Sequence, residues 1–460
     1  MKHKNNIPSD VIHLTKIFRK ENFEIFLVGG CVRDLIMGTE PHDYDMCTNA
    51  TPDQMKELCR KYKLSCIPTG LQHGTITVRL NHESYEITTY RVDGAYSDGR
   101  HPDKVAFTDN LREDLLRRDF TINAIAMDPI TCKLYDPFGG CLDIAQKKLR
   151  AVGHADARLS EDGLRILRAL RFAIKYDLMI DDELENAIHS HKDMLLLTSN
   201  LISRERITDE FRKIFTTGKP VSEIFMQFRD IIATVIPEIQ KTFDFDQNNR
   251  YHKHDVYEHL LAVTDYCKSN KFEIRMAALL HDIGKPDAYV TDELGRGHFY
   301  GHPEISTDIC RPILRRQFKL SNDEYHRIIE LIEFHDMDVK ETTKSVKRVL
   351  NKHGVDFMTD WFVLKQADMD DHIYPDDKYI TTIRNMKAIA DEIINSMQAF
   401  TIKDLAVNGK DLMDELGLKP GKTIGIILDK LLEEVIEETL ENNKESLLAK
   451  ADEIRERITK

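Results

Sequence analysis

Near residue 155 the apolar residues change period. Before it, "FEIFLVGG" (23–30) reads as a buried strand, "CVRDLIMG" (31–38) as a short helix, and "GTITVRL" (74–80) and "SYEITTYR" (84–91) as alternating strands. After it, helical spacing takes over in "EDGLRILRALRFAIKY" (161–176), "ISRERITDEFRKIF" (202–215), "HDVYEHLLAVTDYC" (254–267) and "IRMAALLHDIG" (274–284), with Gly and Pro at the breaks. The expected class is α+β, a small mixed α/β head followed by an all-α body. The 460 residues divide into a head (1–150), a helical neck (151–245), a helical segment rich in His and Asp (246–375) and a helical, acidic tail (376–460).

Composition narrows the function. The net charge of −13 argues against a protein that coats nucleic acid indiscriminately, because such binding depends on clustered Lys and Arg. One stretch departs from this: residues 147–175 hold Lys147, Lys148, Arg150, Arg158, Arg165, Arg168, Arg171 and Lys175 against Asp156, Glu161 and Asp162. A local basic surface is therefore expected inside an acidic whole. The eight cysteines form no CxxC pair, which fits reduced thiols. No apolar run has membrane-spanning length and the N-terminus has no signal-peptide core, so the expected location is cytoplasmic, with no membrane partner.

"PHDYDMCTNATPDQM" (41–55) places Asp43 and Asp45 one residue apart in an extended run. Alternate residues of a strand share a face, so the two carboxylates can share divalent cations, and hard oxygen ligands suit Mg²⁺. Taken alone, such a pair is more commonly a solvated turn. Context favours the metal reading. Gly29 and Gly30 close the first strand and open a helix, where backbone N–H groups can approach a triphosphate, and Arg33 would add a donor one turn on. Glu86 is a candidate third carboxylate on a neighbouring strand.

Farther on, Asp162 and Arg165 sit three apart on an expected helix and would emerge side by side. Cytosine and adenine both present an exocyclic amine beside an unprotonated ring nitrogen, and an acceptor next to a donor matches that edge. Uracil and guanine are mismatched. Arg168 and Arg171 continue the spacing toward triphosphate or RNA backbone; read by spacing alone, they would be the solvated side of an amphipathic helix.

The blocks "LVGGCVRDLIMG", "HDYDMCTNATPDQM", "PTGLQHGTITV", "YEITTYRVDGAYSDGRHPDKVAF" and "EDLLRRDFTINAIAMD" together resemble the head of the class II tRNA nucleotidyltransferases, the CCA-adding enzymes of the polymerase β superfamily. The resemblance implies Mg²⁺-dependent transfer of CMP and AMP from CTP and ATP to the 3′ end of tRNA, with Asp43 and Asp45 as metal ligands. It also implies that Gly30, Arg33 and Arg118 hold the nucleotide, that Asp119 and Asn123 touch its ribose, and that "EDxxR" selects the base. A monomer or homodimer is expected. Rival readings are an A-adding enzyme, a poly(A) polymerase sharing the head, and a non-catalytic tRNA-binding module.

A second resemblance follows in "YEHLLAVTDY", "AALLHDIGKPD", "YGHPEIS", "IEFHD" and "LKQADMDDH", whose order is similar to that of an HD domain, a metal-dependent phosphohydrolase fold. It implies a metal site of His259, His281, Asp282 and Asp368, extended by His302 and His335. Imidazole with carboxylate suits Ni²⁺ or Mn²⁺. The activity implied is that of a phosphohydrolase or 2′,3′-cyclic phosphodiesterase.

Overall fold

The computed structural model describes residues 7–94, 105–199, 201–248, 253–372, 377–396 and 400–459. Residues 95–104, inside the quoted block "YEITTYRVDGAYSDGRHPDKVAF", lie outside them. The chain forms two compact units, residues 1–237 with 316–319, and residues 238–315 with 320–460. No described helix is long and apolar enough to cross a membrane.

The first unit is built on a seven-stranded sheet. Its strands in chain order are β1 (Ile25–Val28), β2 (Met46–Thr48), β3 (Ser65–Gly70), β4 (Thr75–Leu80) and β5 (Glu83–Thr89), joined after a small separate pair, β6 (Arg91–Asp93) and β7 (Val105–Phe107), by β8 (Ala126–Met127) and β9 (Leu134–Tyr135). The spatial order is β3-β4-β5-β2-β1-β8-β9, with β2 and β5 parallel. Period-two alternation divides the sheet between two cores. Ile25 and Leu27 of β1 pack with Met46, Ile76, Val78, Tyr85 and Ile87 beneath α1 (Ser9–Lys20), α2 (Gly30–Met37) and α3 (Pro52–Lys61). Phe26 and Val28 face the opposite way, with Cys47, Tyr90 and Leu115.

Helices complete the unit: α4 (Leu111–Leu116), α5 (Gly140–Ala145), α6 (Ala155–Glu161), α7 (Leu164–Tyr176), α8 (Asp182–His191), α9 (Arg204–Phe215), α10 (Ser222–Gln227) and α11 (Arg229–Val235). One expectation is corrected here. The single helix read over 161–176 is broken, because Asp162 is extended (φ −151°, ψ 102°) and α7 starts only at Leu164. Gly163 lies in the break, where a Cβ would come within 2.7 Å of Met194 Cβ and 3.1 Å of Ile202 Cδ1. Residues far along the chain thus leave room only for glycine at this position.

The second unit is helical: α12 (Val256–Tyr266), α13 (Phe272–Leu280), α14 (Lys285–Ala288), α15 (His302–Arg316), α16 (Asn322–Phe334), α17 (Thr343–Asp370), α18 (Asp377–Asn395), α19 (Gly409–Leu416), α20 (Lys422–Ile436) and α21 (Lys444–Thr459). Starts are written in the sequence: Asp255 and Ser321 close capping boxes with Glu258 and Glu324. Gly354, at φ +84°, interrupts α17. Leu412, Ile427, Leu431, Leu447 and Ala451 form a separate apolar cluster under α19–α21.

Candidate active site

Asp45 leads into β2 with its carbonyl already in the ladder, accepting from Val28 N at 3.0 Å. Tyr44 and Met46 pack into the core beneath the sheet, so Asp43 and Asp45 take the other face. Met46 is paired with Ile87 across the parallel β2–β5 junction, which brings Asp45 beside Glu86. Asp43 and Glu86 are exposed and Asp45 is half-buried. Burial, then repulsion from Asp43 and Glu86, pushes the Asp45 carboxyl up to about 6 against the pull of Arg118. Mutually repelling oxygen donors of this kind fit a hard divalent cation.

Gly29 ends β1 at φ +76° and caps α2. The backbone angle requires glycine, and a Cβ there would lie 2.8 Å from Arg118 Nη1 and push that guanidinium aside. Arg118 thus stands between the glycine pair and the acids. Behind it Asp114, wholly buried, accepts from Arg117 Nε at 3.0 Å and Arg91 N at 3.3 Å, with Arg118 Nη2 at 3.7 Å. Arg33 is placed differently from its expected position as an open phosphate donor. It is 6% exposed; its Nε donates to Asp34 at 2.9 Å and its Nη1 to Asn123 at 2.5 Å, and its guanidinium lies 4.4 Å from the Tyr176 ring centre. Asn123 in turn donates to Asp119, which also accepts from Arg168 Nε at 2.9 Å. Burial would raise the Asp119 pKa, but Arg168 and the Asn123 amide hold it well below the usual carboxylate range.

The expected Asp162–Arg165 edge is not a helical i, i+3 pair. Asp162 accepts from Leu164 N at 3.0 Å and Arg206 Nη2 at 2.6 Å. Arg165, 8% exposed, donates to Glu161 at 2.5 Å and to the Arg158 carbonyl at 2.6 Å. Arg171 donates to buried Glu210 at 2.6 Å. Each arginine of the series therefore has its own carboxylate: Glu161, Asp119 and Glu210.

In the second unit six residues converge from five places. His259 is inside α12, His281 and Asp282 follow α13, His302 opens α15, His335 follows α16, and Asp368 lies near the end of α17. One oxygen of Asp282 is 3.2 Å from His259 Nε2 and 3.3 Å from His281 Nε2; the other is 3.1 Å from His302 Nε2 and 3.3 Å from His335 Nε2. Asp368 Oδ1 is 3.4 Å from His259 Nε2 and 3.9 Å from His281 Nε2. Two potential metal-holding groups result, His259–His281–Asp282 and Asp282–His302–His335. The donors fit a cation. His302 and His335 direct Nδ1 at the carbonyls of Phe299 and Ile332, which requires N–H there and leaves the two Nε2 atoms, 3.1 Å apart, facing Asp282. Burial and Lys285 would lower the His259 pKa, yet Asp282, Asp368 and Asp371 bring it to about 10, while burial pushes the His335 imidazole down.

Comparisons with known proteins agree with the head geometry. Residues 25–150 match the model of the poly A polymerase head domain, 177–241 that of a probable RNA and SrmB-binding site of polymerase A, and 308–451 that of a putative tRNA nucleotidyltransferase domain 2. The chain is 30% identical over 457 residues to the CCA-adding enzyme of Ligilactobacillus salivarius, covering 98% of both. It belongs to the CCA-adding enzymes. The family member from Listeria innocua is 47% identical over 192 residues, 42% of this chain and 47% of that one. The Bacillus stearothermophilus CCA-adding enzyme, solved in complex with CTP, superposes with a TM-score of 0.69 at 26% identity, covering 100% of this chain and 99% of that one.

As a CCA-adding enzyme the chain is a tRNA nucleotidyltransferase, and enzymes of this kind use divalent metal. Sequence reasoning passed over several residues that organise its two sites. Arg206 and Glu210 are four apart on α9, a spacing that places both on one face toward α7, so a signal existed. Asp114, three before Arg117, carried the same kind of signal.

Proposed function

We propose that the chain builds or repairs the CCA end of tRNA by adding CMP and AMP without a nucleic-acid template, using CTP and ATP. The terminal ribose hydroxyl attacks the α-phosphate in line and pyrophosphate leaves. The observation that carries this reading is the grouping of Asp43 and Asp45, at the entry to β2, with Glu86 of the adjacent β5, their charges repelling at Asp45, and Arg118 beside Gly29 and pulling on the same carboxyl. Those three carboxylates would hold Mg²⁺, which when bound supplies charge neutralisation at the reacting phosphate. Gly29, Gly30 and the start of α2 offer backbone N–H groups to the triphosphate, and Arg118 adds charge-assisted donors. Asp119, next to Arg118 in sequence, and Asn123, bonded to Asp119, serve the ribose. Arg33, fastened to Asn123 and Asp34, supports that cradle from below.

Asp162 and Arg165 read the base. Arg206 on one side and Glu161 on the other fix the acceptor and the donor before a nucleotide arrives, and fixed partners give the sharpest rejection of a mismatched edge. Arg168 and Arg171 lie along the same helix for phosphate or RNA. The test is incubation of tRNA lacking its terminus with CTP, ATP and Mg²⁺: growth by CCA is expected, unlimited A tailing would favour a polymerase, and no growth a binding module.

A second reading rests on the His/Asp cluster. We infer that residues 246–375 act as an HD domain between the neck (151–245) and the tail (376–460), holding Ni²⁺ or Mn²⁺ through His259, His281, Asp282 and Asp368, with His302 and His335 on the other oxygen of Asp282. A metal so placed supplies Lewis-acid activation for hydrolysis of a phosphoester or 2′,3′-cyclic phosphate. Hydrolysis of such esters by the purified chain, lost in the His281→Ala, Asp282→Ala double variant, is the check. The proposed location is the cytoplasm.

A further inference from the structure

The four histidines of the cluster are not oriented alike. His281 Nδ1 points to the Ala278 carbonyl at 2.8 Å, His302 Nδ1 to Phe299 O at 2.8 Å, and His335 Nδ1 to Ile332 O at 2.7 Å. Each uses a carbonyl three residues back. The reason is position: His281 and His335 follow the last turns of α13 and α16, where carbonyls lack helical partners, and His302 stands at the start of α15. His259 has no such recourse. It follows the first three residues of α12, where the ladder already runs through it, its own N–H bonded to the cap carbonyl of Asp255 at 3.0 Å. A side chain from another element must take its Nδ1, and Asp371 does so, with Oδ2 at 2.8 Å.

Asp371 is wholly buried and follows the last residue of α17. It lies one turn beyond Asp368, whose Oδ1 is 3.4 Å from Nε2 of the same ring. One turn of α17 therefore addresses both nitrogens of His259. The second oxygen of Asp371 faces His254 Nε2 at 3.4 Å and the Lys253 ammonium at 3.7 Å. A carboxylate on the far nitrogen of a ligating imidazole sets its tautomer and raises its basicity, an effect on metal affinity of about 10- to 100-fold.

We propose that Asp371 is the positioning residue for His259, fixing the tautomer that turns Nε2 toward Asp282 and Asp368, and that it acts on the His259–His281–Asp282 half of the cluster and not on the Asp282–His302–His335 half. The inference rests on the reading of the cluster as a metal centre. Geometry separates the halves, since the other three rings are held by backbone that no side-chain substitution removes.

The test is Ni²⁺ binding by calorimetry to the whole chain in two backgrounds. In His335→Gln, where the His259 half remains, Asp371→Ala should weaken Ni²⁺ about 10- to 100-fold. In His259→Gln, where the other half remains, the same substitution should leave affinity within about twofold. Asp371→Asn, which keeps an acceptor and the side-chain volume, is measured in parallel and gives a smaller loss in the first background only; it answers the question where the alanine variant does not fold. An equal loss in both backgrounds would make Asp371 a general structural residue and overturn the proposal, as would no loss in the first. Failure of the unsubstituted chain to bind Ni²⁺ is a different result: it sinks the metal-centre reading itself, and the inference with it.

Discussion

The head keeps its acids on an open sheet face, whereas the second unit encloses its donors among helices. Asp43 and Glu86 are exposed, and among the described residues only the His/Asp groups bring three ligand atoms within 4.8 Å of one another. His259 and His281 are fully buried, and Asp282 is 2% exposed. An open carboxylate set leaves most cation positions to substrate phosphate and water, which suits a site whose RNA end must change with each addition. A closed imidazole set, each ring pinned through its far nitrogen, would hold an ion without substrate. The lesson is that the proposed head site is completed by what it binds, whereas the proposed second site has its ligands assembled beforehand.

The largest effects should come from exchanging damage between the two. Asp43→Ala with Asp45→Ala is expected to lower nucleotide addition by about 10³-fold or more, while Ni²⁺ uptake by the second unit stays at its original level. The converse double variant, His281→Ala with Asp282→Ala, should abolish Ni²⁺ uptake and leave addition to tRNA intact. Loss of addition in a folded His281/Asp282 variant, seen on denaturing gels of tRNA product, would break the separation.

Next in size is selectivity, which only the head should possess. Asp162→Ala removes the acceptor from the proposed base-reading edge and leaves Arg206 without its carboxylate. Preference for CTP and ATP over UTP and GTP should fall about 10- to 100-fold, more than the rate with CTP itself. Single-nucleotide incorporation with each of the four triphosphates measures it; unchanged ratios would remove Asp162 from base reading.

Much of this contrast is legible in the residues themselves. Period two places Asp43 and Asp45 on one face because Tyr44 and Met46 must reach the core, and that constraint is local. The break before α7 is not local: the extended residue is Asp162, held by Arg206 from α9, while Met194 and Ile202 pack so close to Gly163 that no side chain fits there. The arginine series shows the same limit. Spacing gives the face on which Arg165, Arg168 and Arg171 emerge, but their carboxylates come from Glu161, Asp119 and Glu210, which tertiary packing supplies. In "DMDDH" three acids compete for one role, and which of them meets His259 Nδ1 depends on where α17 ends. The break at Gly354 is likewise silent, since apolar spacing is helical on both sides.

A smaller effect tests the glycine cradle. Gly29→Ala forces a Cβ into a backbone at φ +76° and toward Arg118 Nη1. The strain is about 1–3 kcal/mol, and displacement of Arg118 should raise the KM for CTP and ATP together about tenfold. Metal uptake by the second unit should be unmoved. Steady-state kinetics with both nucleotides decide it, since a fall in kcat alone would place the defect elsewhere.

The smallest expected effect concerns pH. Asp119 is held below its ordinary pKa by Arg168, so its contribution to stability is present above the unfolded carboxylate value, about 3.9, and is lost as pH falls from there toward the lower folded value. Arg168→Gln removes the charge that lowers the pKa while keeping a donor, at a cost of about 1–3 kcal/mol at neutral pH. The difference between the two proteins should therefore be constant from about pH 7 down to about pH 5 and shrink below pH 4, where Asp119 in the variant is already protonated. Denaturant titrations at stepped pH read this directly. A difference that stays constant to pH 3 would mean that Arg168 stabilises by packing over Phe172, whose ring centre is 5.5 Å away, and not through the carboxylate it grips.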